Sequence, residues 1–477
     1  MKSPENAVEN LLMKTTPKTI WENHVFSVGG YVRDEILGLI PKDLDIVIDV
    51  ENGAKDFTRF LKSKFGDAVT NPVNMGNYPI WQITFKKNVF HDGIEYFTEG
   101  AVIEFADTMR EDYPDENSRQ RNVKFASIEE DVKRRDFTCN SVMKNLSSGK
   151  FVDLSGTGIS DIKKGILRGH PNVDFNEILR QDALRSMRLV RFICKYDWTT
   201  PLSVLKAVKK NAYRIQTISN ERIRDELIKI MKFGKLAKAI KFFDATGLLP
   251  YIFPEINELK KVEQNPIHHQ EGSAYVHTLM VLKHTGKGVI LQLAALFHDV
   301  GKLKKTEIIN GEIHSYEHEK ASEEMTDLIL RRMKFDTIIV SSVKKLVKNH
   351  MRPHKLFECG KAGIRRFIRD MDESLEDVLN LSEADELGKI PQGFNIPVLR
   401  QRIEQIKSSK IPVRRQPILN GNEIMEILKI RPSKQIKDIQ NSLLALEDQK
   451  ASENVELTKD DAISFVREFP RTIGCTE

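Results

Sequence analysis

This chain of 477 residues lacks paired cysteine: Cys139, Cys194, Cys359 and Cys475 lie far apart and form no CxxC. A disulfide scaffold and a thiolate zinc site are thereby excluded, and reduced thiols in a cytoplasmic compartment are expected. Long apolar runs are missing too. No stretch approaches the roughly 18 apolar residues of a membrane span, and MKSPENAVEN has no apolar segment behind a basic start, so neither membrane nor secretion is expected. No repeat or low-complexity tract stands out, and 74 basic against 68 acidic residues leave only +6. A polyanionic partner is permitted by that balance, not demonstrated. What is present, 40% hydrophobic and 30% charged residues, suits a folded, helix-rich protein of about three or four domains.

After a short polar leader, HVFSVGGYVRDEILGL reads as a strand, a Gly-Gly turn and a helix, and DLDIVIDV as a second strand. Residues 53 to 66 read as helical, and WQITFKKNVF and GAVIEFAD as further strands. The polar stretch REDYPDENSRQRNVKFASIEE has the composition of a mobile loop. From FNEILRQDALRSMRLVRFI onward, nearly every segment has helical periodicity. The expected fold is an α/β head with a mixed sheet, followed by all-α regions.

Asp43 and Asp45 stand two residues apart on the predicted second strand, where a period of two sends both carboxylates to one face; Asp49 shares the parity further along. Paired hard oxygen ligands are what magnesium needs to hold a triphosphate. Gly29 and Gly30, between strand and helix, remove side chains where a phosphate chain would approach the backbone.

Together, SVGGYVRDEILG and KDLDIVI resemble the head signature of the CCA-adding tRNA nucleotidyltransferase and bacterial poly(A) polymerase superfamily. The resemblance implies that Asp43 and Asp45 hold Mg2+ and that Gly29 and Gly30 hold the nucleoside triphosphate, with Arg33 and Asp34 as helix partners. IEFADTMREDY matches a strand and loop in which Glu104 supplies a third acid, and EEDVKRRDFTCNSV matches a motif in which Arg134, Arg135 and Asp136 contact sugar and phosphates. QDALRSMRLVRF matches the helix that reads the nucleobase, implying nucleotide contacts for Asp182, Arg185 and Arg188.

Asp182 and Arg185, at i and i+3, share a face of one predicted helix. An acceptor beside a donor matches cytosine and adenine alike, because each presents an amino group next to a bare ring nitrogen; guanine and uracil reverse that order. Where the family usually has Glu, this chain has Gln181, which still offers an oxygen to Arg185 without the charge. In ISNERIRDELIKI, Glu221 and Arg224 read as structural.

Further on, YVHTLMVL, LAALFHDVGK, SYEHEKA, VKNHMRPH and SEADELGK resemble the HD phosphohydrolase superfamily. That implies metal ligation by His277, His298, Asp299 and Asp385, with His318, His350 and Lys302 at positions for a second metal or a phosphate. Imidazole and carboxylate together suit Ni2+, Mn2+ or Mg2+. His268, His269, His284, His314 and His354 read as surface residues. After about residue 395 the chain resembles the tail of such enzymes, where Arg414, Arg415, Lys434 and Lys437 could meet tRNA phosphates or be a solvated basic face.

The domains expected are a polar leader (1–24), the nucleotidyltransferase head (25–150), a neck with the base-reading helix (151–258), an HD domain (259–392) and a helical tail (393–477). The implied function is template-independent addition of CCA to tRNA from CTP and ATP, with a phosphohydrolase activity in the HD region; no oligomeric state is implied. The alternative is a poly(A) polymerase adding AMP to RNA, favoured mildly by Gln181 and disfavoured by the intact HD set. A signalling-nucleotide synthetase and hydrolase would place its HD domain first, and an inert RNA-binding protein would not keep Asp43, Asp45 and the His298-Asp299 pair.

Overall fold

The computed structural model describes residues 3–76, 79–112, 122–267 and 269–469. The chain divides into two compact units, Met1–Ile230 with Lys238–Ile252 and Met231–Ala237 with Phe253–Glu477.

In the first unit, helix α1 (Pro4–Thr15) leads to strand β1 (Val25–Val28), helix α2 (Gly30–Ile36), strand β2 (Asp45–Ile48) and helix α3 (Gly53–Phe65). Strands β3 (Val73–Asn74), β4 (Ile80–Thr84), β5 (Val89–His91), β6 (Ile94–Tyr96), β7 (Val102–Asp107), β8 (Met109–Asp112) and β9 (Asn122–Phe125) follow. Helix α4 (Ile128–Lys133) and strands β10 (Met143–Asn145) and β11 (Phe151–Val152) complete the sheet region.

Seven strands form one sheet in the order β11-β10-β1-β2-β7-β4-β3, mixed because β2 and β7 run parallel while the other pairs are antiparallel. Alternation decides its faces. Ile46, Ile48, Ile103 and Phe105 enter the larger core with Phe57 and Leu61 of α3, whereas Val47, on the opposite face, packs with Phe26, Val28 and Ile128. Asp45 shares the parity of Val47, and its register partner on β7 is Glu104. Side-chain alternation thus delivers two acids to the face not covered by α3.

Three expectations need correction here. The polar leader is α1, whose Val8, Leu11 and Leu12 are fully buried in the larger core, so its polar composition hides an apolar stripe at helical spacing. The polar stretch read as a loop begins in β8, includes β9, with which β8 pairs as an antiparallel ribbon, and ends in α4; residues 113–121 lie outside the described residues. β11, assigned by sequence to the neck, is the outer strand of the head sheet.

Helix α5 (Gly158–Lys164) follows, and after it α6 (Phe175–Gln181), α7 (Leu184–Tyr196), α8 (Leu202–Asn211) and α9 (Asn220–Met231), the last four as the helical periodicity predicts. Among its described residues the second unit is helical apart from one two-stranded ribbon, Glu307–Ile309 with Glu312–His314. Among the described residues no helix is long and apolar enough to cross a membrane.

Candidate functional site

A cavity of about 610 Å³ opens on the sheet face that carries Asp45 and Glu104. Seven arginines, at positions 33, 134, 135, 185, 188, 191 and 222, line it against the acids Asp45, Glu104, Glu111, Asp136 and Asp182, a surplus of positive charge that suits a polyanion. Gly29 sits at its edge with φ +73°, a left-handed conformation that a side chain resists, and a Cβ there would lie 3.8 Å from Asp45 Oδ2. Asp45 is open to solvent but low in the concavity. Burial pushes its carboxyl up to about 6, Glu104 and Asp43 add to that, and Arg135 opposes it.

Asp43 is not on the strand. It lies in the bend two residues before the start of β2, exposed like Asp45, and acts on Asp45 through charge. Asp49 follows β2 and accepts from the Thr108 hydroxyl at 3.0 Å, outside the cavity lining.

Arg134 and Arg135 share one carboxylate that the sequence reading passed over. Asp131 is fully buried; Oδ1 accepts from Arg134 at 2.6 Å and Oδ2 from Arg135 at 2.8 Å, and the surrounding arginines hold the group below the usual carboxylate range despite burial. The signal was available, since Asp131 stands at i−3 and i−4 from the two arginines on α4 and its C-terminal turn. Asp136 is likewise pinned, by Arg188 at 2.6 Å and Asn140 at 2.9 Å. Arg33 donates to Asn140 Oδ1 at 2.7 Å and to Asp34, while Phe192 and Tyr196 of α7 lie 5.2 and 5.1 Å from its guanidinium.

Asp182 and Arg185 both line the cavity, but not from one helix. α6 ends at Gln181, and Asp182 has extended backbone with φ −150° and ψ 104°. Its Oδ1 accepts from Leu184 N at 3.0 Å, starting α7, as capping Asp residues do, and its Oδ2 accepts from Arg222 at 2.7 Å. The expected shared helix face is therefore a helix break, with Arg185 in the first turn of α7. Gln181 Oε1 does accept from Arg185, at 3.0 Å. In α9 Glu221 is exposed; Glu226 is buried against Arg191 at 2.6 Å, and Arg224 pairs with Asp225.

The second unit holds a different cluster. His277, His298, Asp299, His318, His350 and Asp385 are all buried. His277 Nε2 lies 2.9 Å from Asp385 Oδ1 and 3.3 Å from His298 Nε2, while His318 Nε2 lies 3.3 Å from His350 Nε2 and 3.2 Å from Asp299 Oδ1. Asp299 Oδ2 faces the first group, 3.3 Å from His298 Nε2, so one carboxylate stands between two ligand sets. Gly301 permits this closeness, because a Cβ would fall 2.3 Å from the main-chain oxygen of His318.

The donor set fits divalent metal ions. Nδ1 of His298, His318 and His350 faces the carbonyls of Ala295, Ser315 and Val347 at 2.9, 2.8 and 2.7 Å. Carbonyls only accept, so the proton sits on Nδ1 and each Nε2 lone pair points inward. Lone pairs facing one another and two carboxylates require a cation or a shared proton. Asp299 and Asp385 are held well below their usual range: burial is outweighed by His298 and Lys302 at the first, and by Lys389 and His277 at the second. Burial, then His318, press His350 well down.

Lys302 donates to Asp299 at 2.8 Å and Gln264 at 2.7 Å. Two histidines read as surface are not. His354 is buried, 3.2 Å from Asp385 Oδ2, and His269 is mostly buried against Glu271, because the chain returns to the cluster at positions with no local apolar pattern to reveal it. His284 is exposed and His314 half-buried; His268 lies outside the described residues. In the tail Arg414 is paired with Glu447 and Glu456, and Arg415 with Asp372, while Lys434 and Lys437 are exposed.

Residues 25–168 match the Poly A polymerase head domain family, 202–260 the family described as a probable RNA and SrmB- binding site of polymerase A, and 267–388 the HD domain family. The chain is 29% identical over 365 residues to the A-adding tRNA nucleotidyltransferase of Deinococcus radiodurans, covering 72% of this chain and 80% of that protein. It is 27% identical over 454 residues to the CC-adding tRNA nucleotidyltransferase of Thermus thermophilus, covering 92% of each. Its fold matches the Bacillus stearothermophilus CCA-adding enzyme in complex with CTP, with TM-score 0.64 at 19% identity over 98% of both chains. The fold and its two motif sets are those of a nucleotidyltransferase joined to an HD domain. The chain thus carries a Poly A polymerase head domain and an HD domain, and over most of its length it is similar to tRNA nucleotidyltransferases.

Proposed function

We propose that this chain adds C, C and A to the 3′ end of tRNA without a nucleic-acid template, using CTP and ATP, and that its HD region is a metal-dependent phosphohydrolase. The observation that carries the first part is the cavity lined by Asp45, Glu104 and seven arginines. In this reading the RNA 3′-hydroxyl attacks the α-phosphorus, a phosphodiester forms, and pyrophosphate leaves as the hydroxyl proton passes to solvent. Asp43 and Asp45, with Glu104, would hold Mg2+, which when bound neutralises phosphate charge. Gly29, Gly30 and Arg33 would receive the triphosphate, Arg134, Arg135 and Asp136 the sugar and phosphates, and Asp182, Arg185 and Arg188 the base. Head, neck, HD and tail domains then divide the work, the tail meeting tRNA.

For the HD region, His277, His298, Asp299 and Asp385 would hold one Ni2+, Mn2+ or Mg2+ ion, and His318 and His350 a second ion or a phosphate, beside Lys302. Such an ion supplies an activated water. A 2′,3′-cyclic phosphate is the proposed substrate, since attack of water on its phosphorus with loss of the P–O3′ bond leaves a 2′-phosphate and the free 3′-hydroxyl that the head requires.

A narrower reading, addition of CC alone or A alone, is favoured by the names of the relatives from Thermus thermophilus and Deinococcus radiodurans. The two-site proposal is tested crosswise. Asp45→Ala is expected to stop nucleotide addition and spare hydrolysis, and His298→Ala the reverse. Addition surviving in Asp45→Ala, or both activities vanishing with either change, overturns it.

A further inference from the structure

The four histidines of the two ligand sets point Nε2 inward, and three of them are anchored alike. His298, His318 and His350 each present Nδ1 to the neutral main-chain carbonyl three residues earlier. His277 differs. Its Nδ1 lies 3.1 Å from the carboxylate oxygen Oε1 of Glu271 and 3.3 Å from the carbonyl of Gly388, while its Nε2 faces Asp385. The Glu271 side chain is 1% exposed, and its other oxygen is fixed by the Ile390 N–H at 3.0 Å. His269 Nδ1 shares Oε1 at 2.6 Å, so one buried carboxylate joins two imidazoles.

We infer that Glu271, steadied by His269, is a positioning residue for the HD metal centre: it holds the His277 proton on Nδ1 and makes Nε2 the most strongly donating imidazole of the cluster. The inference rests on the metal-dependent reading of the HD region. A charged acceptor behind a ligating imidazole orients the ring and increases its electron donation, and losing such an outer-shell partner weakens metal affinity by roughly 10 to 100-fold. Because Glu271 stands behind His277 alone, its effect falls on the ion held by His277, His298 and Asp385. The imidazoles of the Asp299, His318 and His350 set bond main-chain carbonyls, with Glu319 no nearer than 3.9 Å to His318 Nδ1.

The test is a Mn2+ titration of the full chain followed by calorimetry, in an Asp45→Ala background that removes the head ion. With Glu271→Ala, one Mn2+ is expected to bind roughly 10 to 100-fold more weakly while a second keeps its affinity. Glu271→Gln keeps an acceptor without the charge and should fall between; it also guards against a folding defect, checked by the thermal midpoint. His269→Ala should give the same change in smaller degree. Unchanged affinity in both Glu271 variants overturns the inference, as does equal weakening of both ions in a folded Glu271→Gln. No Mn2+ bound by the parental Asp45→Ala chain would instead remove the metal reading itself, and this inference with it.

Discussion

The guanidinium of Arg185 donates to the main-chain carbonyl of Arg134 across 2.7 Å. Through this bond the first turn of α7, which faces the proposed base position, is tied to the segment after α4 that presents Arg134 and Arg135. Base reading and phosphate holding therefore share a framework. Arg185→Lys, which cannot fork to several acceptors, should lower kcat/KM for CTP and ATP together by roughly 10 to 100-fold, about 1.4 to 2.7 kcal/mol. Unchanged rates and nucleotide preference in primer extension would show that this residue does not serve the base site.

Asp131 supplies both oxygens to two arginines from a fully buried position. Breaking such a pair costs about 3 kcal/mol, the low end of the buried range, because both arginines still reach solvent. Asp131→Ala should lower the urea midpoint accordingly. Asp131→Asn, which keeps the shape, should raise KM for the nucleotide more than it lowers kcat. A variant with normal stability and KM would contradict that role.

Asp107 predicts a pH dependence. Burial pushes its carboxyl up to about 6 from 3.8, against main-chain donors at Ala54 and Asn52, the first at 2.7 Å. Between about pH 4 and 6 the folded state keeps a proton that the unfolded state has released, so this contribution is fully present below about pH 4 and is lost as pH rises through 6. Its size is at most about 3 kcal/mol. Asp107→Asn should flatten the stability profile across that window; an unchanged slope in urea titrations at pH 4.5 and 7 would count against it.

Gly301 lets the His298-Asp299 turn lie against the start of the His318 helix. Gly301→Ala should force the two apart, costing about 1 to 3 kcal/mol of stability. The same change should weaken metal binding in the HD cluster while nucleotide addition persists. Full metal affinity in the variant would mean the contact is not needed.

Much of this was legible where chemistry follows local spacing. The Gly29-Gly30 turn and Asp45 on β2 stand where the strand and turn signals place them, whereas the His298-Asp299 pair, expected within a helix, lies in the turn just after one. Three kinds of feature were not. Asp182 breaks the helix that i, i+3 spacing extends through it, because its carboxylate caps α7 instead. His354 and His269 enter the metal cluster from long range, which no local pattern records. Arg222 reaches the cavity from α9, although its neighbours Glu221 and Arg224 drew attention first.

The measurement that bears most directly on the account is single-nucleotide extension of tRNA ending at the base before CCA, at the first C and at the second C, with each of the four nucleoside triphosphates. The account predicts CMP added to the first two ends and AMP to the third, no use of GTP or UTP, and termination after A. Stopping at CC, or adding A only to an end already bearing CC, would reduce the reading to one half of the reaction. Untemplated runs of A on any RNA end would contradict it in favour of a poly(A) polymerase.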